Sequence, residues 1–100
     1  MSRSVLLLLL ALGACSPRPP QVSAFDATRS NIQLAELQQG RTLLVGKCSG
    51  CHQTPLPSQH LAAEWPGKLD EMADRARLDA TQRRMIQQYL VVMADAPARR

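Results

Sequence analysis

Gly40-Arg41-Thr42-Leu43-Leu44-Val45-Gly46-Lys47-Cys48-Ser49-Gly50-Cys51-His52 decides how this chain is read. Its last five residues are Cys-x-x-Cys-His, the attachment pattern for c-type haem. Each position has a chemical reason. Two thiols add across the two vinyl groups of a porphyrin, and two intervening residues match the sulfurs to the vinyl separation. His52 follows directly, which suits its imidazole to the proximal side of the iron. With three Cys and two His in 100 residues, chance would produce such a pentad about 0.002 times per chain. A redox dithiol of the thioredoxin kind needs a strand–helix–strand setting that is not visible here. A structural zinc site needs four ligands, and only His60 is left over.

Helical spacing surrounds the pentad. Leu34, Leu37, Leu44 and Cys48 lie along one side of a first helix, with Ser30 and Asn31 as candidate N-caps. Gly40 inside it costs about 1 kcal/mol against Ala, and such a glycine often admits a second backbone. Leu61, Trp65, Leu69, Met72 and Ala76 step by four, four, three and four, which predicts a second helix over 62–76. Pro66 falls near its start. Asp79-Ala80-Thr81-Gln82 is close to a capping box. It opens a third helix with Met85, Ile86, Tyr89, Leu90 and Met93 as its apolar stripe, ended by Pro97. No stretch after position 30 has strand alternation.

The N-terminus carries an export signal. Arg3 precedes a ten-residue apolar run over 5–14, too short for the about 20 residues that span a bilayer but right for a signal peptide. Leu12-Gly13-Ala14-Cys15 resembles the lipobox of bacterial lipoproteins. That resemblance implies cleavage before Cys15, diacylglycerol on its sulfur and an acylated amine. Ser16 after the cysteine resembles an outer-membrane address. Cysteine use then closes, with Cys15 on lipid and Cys48 and Cys51 on haem, so no thiol is left to misbridge in an oxidising compartment. Pro17, Pro19 and Pro20 predict extended chain. Residues 15–29 are expected to be the lipidated Cys and a tether, its fourteen residues after Cys15 reaching about 43 Å.

Composition narrows the classes. One hundred residues with net charge +4 fit one small domain. Three aromatics, Phe25, Trp65 and Tyr89, give no base-stacking platform for nucleic acid. No Ser/His/Asp set, phosphate loop or paired-carboxylate pocket is apparent, so no enzyme activity is expected.

Residues 40–52 with the stretch 79–94 resemble the first and last helices of class I c-type cytochromes. The resemblance covers 30–96. It implies an all-α, three-helix fold packed around one covalent haem c, with a glycine where the terminal helices cross. The domain would be 30–96 and the tail 97–100. It implies thioether links at Cys48 and Cys51, His52 on the proximal side of the iron, and a distal Met. Met72 is the only Met between the pentad and the last helix; His60 and an open iron are the alternatives. Pro55 or Pro57 is a candidate carbonyl for the His52 ring N–H, and Trp65 is a core residue that could instead reach a haem propionate. The implied role is single-electron transfer between a redox donor and acceptor on the periplasmic side of a membrane that holds the lipid anchor. The rivals are a haem-based ligand sensor and the haem subunit of a larger oxidoreductase. Arg75, Arg77, Arg83 and Arg84 could form a docking face or simply be solvated.

Overall fold

A computed structural model describes residues 17–48 and 53–96. Cys15, Cys51, His52 and Pro97 lie outside the described residues. Among those described there are four α-helices and no strand: α1 (Ala24–Ser30), α2 (Leu34–Cys48), α3 (Trp65–Ala76) and α4 (Ala80–Ala94). Two single 3-10 turns, Pro57–Gln59 and Ala62–Glu64, join α2 to α3.

The centre of the fold is the contact of α2 with α4. Leu37, Gly40, Leu44 and Cys48 recur every three or four residues and are the buried face of α2. Ile86, Tyr89, Leu90, Val92 and Met93 are buried on α4. Gly40 makes this contact possible. A Cβ placed on it would stand 2.2 Å from the Met85 carbonyl oxygen and 3.0 Å from Tyr89 Cβ, so the two backbones touch where glycine leaves room. α4 starts as its sequence predicts. Gln82 N donates to Asp79 Oδ1 at 2.8 Å, and Asp79 N donates to Gln82 Oε1 at 3.1 Å.

α3 lays Trp65 and Leu69 into the core, with Met72 and Ala76 half-buried. Leu61, expected on the same stripe, is 72% exposed because it precedes the helix, on extended chain. Arg83 and Arg84 are engaged in ion pairs between helices. Arg83 pairs with Asp70 on α3, and Arg84 Nη1 reaches Glu36 Oε1 on α2 at 2.7 Å. Pairs this exposed stabilise by no more than about 1 kcal/mol each.

Two expectations fail at the N-terminal side. Ser30 and Asn31 do not cap α2. Ser30 is the last residue of α1, and Asn31 is its C-cap in the left-handed region at φ 56°, a conformation Asn tolerates. The described part of the expected tether is also not loose. Residues 17–23 form neither helix nor strand, but they lie on the helices, with Pro19 and Val22 buried. The Pro19 carbonyl accepts from Arg41 Nε at 3.0 Å, and the Pro20 carbonyl accepts from Tyr89 Oη at 2.6 Å. Proline lacks an N–H but keeps a strong acceptor, so an extended proline segment can still be tied down.

α1 is then closed by a short polar network. Asp26, 1% exposed, accepts from Ser23 N at 2.8 Å and pairs with Arg29 at 3.2 Å. Arg29 Nη2 donates onward to the Val92 carbonyl on α4 at 2.6 Å. Asp26→Ala leaves these donors without their acceptor, and it should lower stability by roughly 2 kcal/mol, or about 10 °C in Tm. Asp26→Asn keeps an acceptor for Ser23 but not the charge beside Arg29, and should fall between. Thermal unfolding of the three proteins checks this order.

Candidate functional site

The site is assembled at the C-terminal end of α2. Cys48 is the last residue of that helix, one turn after Leu44, and is 8% exposed. The helical step that buries Leu37 and Leu44 therefore carries the first motif cysteine into the same apolar core as Trp65 and Leu69. Cys51 and His52 lie outside the described residues.

The chain after the pentad returns along an open cleft of about 270 Å³. Pro55, His60, Trp65, Lys68 and Met72 are among its walls. Both sequence-derived candidates for a distal ligand, Met72 and His60, thus line one cavity. Met72 is half-buried one helical step beyond Leu69. His60 stands edge-on to Trp65, with ring centroids 4.9 Å apart at 87°. Met85 and Met93 do not line this cleft. Met85 gives its backbone to the Gly40 contact, and Met93 is 5% exposed in the core.

Trp65 is a core residue, 1% exposed. Its indole N–H donates to the Pro57 carbonyl at 3.1 Å. The bond satisfies a donor that burial would otherwise penalise, and it holds the 57–59 turn against α3. Trp65 is thus the core residue that was expected, and its N–H is used within the chain rather than left for a propionate. One lone pair of the Pro57 carbonyl is likewise taken, whereas Pro55 lies in the cleft wall itself.

The donor set suits an iron porphyrin. A thioether and an imidazole, both ligands that iron accepts in haem proteins, share a cleft bounded by an indole, and a buried cysteine sits in the adjoining core. Among the described residues no cluster of three or more His, Cys, Asp or Glu could hold a bare metal ion. Also among them, no helix is long and apolar enough to cross a membrane.

Sequence reasoning missed α1 and its Asp26–Arg29 network. The signal was present as Ser23-Ala24-Phe25-Asp26, which has capping-box spacing with Asp in place of Glu or Gln. Comparison with protein-family models, with curated proteins and with solved structures finds no match for this chain.

Proposed function

We propose that the chain is a small electron carrier of the c-type cytochrome kind, held to a bacterial membrane by lipid on Cys15 and facing the periplasm. One observation carries the reading: a Cys-x-x-Cys-His pentad begins on the buried last residue of α2, and the chain that follows it contributes Pro55 to a cleft also lined by Met72 and His60. The glycine-mediated contact of α2 with α4 supports it, because the resemblance implies such a glycine where first and last helices cross.

When bound, haem c supplies one-electron cycling between Fe(III) and Fe(II). The chain's residues do the rest. Cys48 and Cys51 would hold the macrocycle by thioether bonds, and His52 would ligate its iron. Met72 would offer a soft sulfur from α3 as the second ligand. Such a ligand favours the reduced state and raises the potential relative to a second imidazole. Trp65, fixed by Pro57, walls the cleft and limits water, which also bears on the potential. Redox donor and acceptor proteins are the partners; no substrate is turned over.

The test is spectroscopic and uses protein matured with haem. The oxidised wild type should show a Met–iron charge-transfer band. Met72→Ala should abolish that band, lower the potential and open the iron to carbon monoxide, whereas His60→Ala should leave the band intact. A wild type that is already high-spin and binds carbon monoxide readily would instead favour the sensor reading.

A further inference from the structure

The N-terminal segment has features that electron transfer does not use. Phe25 on α1 is 62% exposed, while Val22 and Asp26 beside it in sequence are buried. A phenyl ring is thus held in water on a helix that cannot simply turn away. α1 is fixed to α4 by Arg29, and the preceding strap is fixed to the core by the Tyr89 hydroxyl, whose ring is fully buried. The sole carboxylate within 17–33 is Asp26, which is buried and paired with Arg29, whereas Arg18 is exposed.

The position of this ring follows from chain length. Pro19 is buried and tied to Arg41, and Cys15 is four residues before it. Four residues reach at most about 14 Å. A lipid on Cys15 would therefore hold the strap and α1 close to the membrane, in place of the about 43 Å of slack that an extended tether would allow.

We propose that the Phe25 face of α1 rests on the membrane that carries the Cys15 lipid, with the phenyl ring at the boundary between headgroups and acyl chains and Arg18 among anionic headgroups. The proposal rests on the lipid-anchor part of the reading above. One aromatic side chain binds a membrane weakly when free in solution, but a four-residue leash makes the contact intramolecular and raises its effective concentration. The domain is then oriented on the membrane rather than swivelling above it. A membrane suits this patch better than a protein partner because the patch adjoins the anchor and the sole carboxylate of residues 17–33, Asp26, is buried.

Photo-crosslinking of the full, haem-matured, lipidated protein tests this. The photoreactive residue p-benzoylphenylalanine replaces Phe25 or, as the control, Leu61, which is somewhat more open to solvent. Both proteins are placed in vesicles of phosphatidylethanolamine and phosphatidylglycerol and irradiated. Intact mass before irradiation reports whether Cys15 is acylated. With acylated Cys15, position 25 should give roughly tenfold more lipid adduct than position 61, because only the ring at the boundary meets acyl chains. Acylated protein with equal or absent lipid adduct at position 25, or with a crosslink to protein instead, overturns the proposal alone. Unmodified Cys15 without adduct overturns the anchor and the proposal together.

Discussion

Gly40→Ala should destabilise the protein by about 3 kcal/mol or more, whereas Gly46→Ala, six residues later on the same helix, should stabilise it by about 0.5–1 kcal/mol. Both substitutions add one methyl group and both improve helix propensity. They differ in what the methyl meets. At Gly46 there is nothing within 4 Å. At Gly40 it meets the Met85 carbonyl oxygen at 2.2 Å and the carbonyl carbon at 2.9 Å. Those atoms are backbone, so no side chain can rotate aside, and α4 must move away from α2. The movement would loosen Leu37, Leu44, Tyr89 and Leu90, all fully buried around that contact. Steric strain therefore outweighs the propensity gain of about 1 kcal/mol. A core of this size supplies only about 3–5 kcal/mol unaided, so the alanine variant should lose most of its margin. Urea unfolding of the two variants against wild type checks both signs. A Gly40→Ala protein as stable as Gly46→Ala would mean that the helices do not touch at that point.

The second large effect concerns the unattached chain. Cys51→Ser, or export without haem attachment, should leave a polypeptide that has lost most of its far-UV helical signal. The reasons are local. Between Cys48 and Trp65 the described backbone has only two single 3-10 turns. That connection depends on buried Pro55 and Pro57 and on the Trp65–Pro57 hydrogen bond. With no macrocycle against it, the cleft between Pro55 and Met72 fills with water, and α3 keeps little more than Trp65 and Leu69 in the core. Short domains of this kind usually need a staple, and a haem bonded at Cys48 and Cys51 would be one. Circular dichroism of the haem-free chain decides it; native-like helicity would contradict this.

The parts of the fold legible in the sequence were those where one local rule dominates. The α4 start was legible because Asp79 and Gln82 cap each other reciprocally. The buried face of α2 was legible from spacing alone, and the Gly40 contact from a glycine that a helix would otherwise avoid. What was not legible depends on long-range partners. Nothing near Pro19 and Pro20 reveals that Arg41 and Tyr89, 22 and 69 residues away, take their carbonyls. Nor does local sequence show that Arg29 finds the Val92 carbonyl, 63 residues on. Proline composition alone favoured a loose tether, and the tertiary hydrogen bonds overrode it. At the site, residue type and order left a short choice of candidate distal ligands. The fold brings Met72 and His60 to one cleft and removes Met85 and Met93 from it, but spacing had no means of placing a loop histidine beside a helical methionine.

The most direct measurement is an intact mass, with thiol alkylation, of the mature protein purified from cells that carry haem-attachment machinery. The protein should be red and its polypeptide should carry the added mass of one haem, with Cys48 and Cys51 both refusing the alkylating reagent. A colourless polypeptide of unmodified mass across 48–52, with both sulfurs freely alkylated, would contradict it.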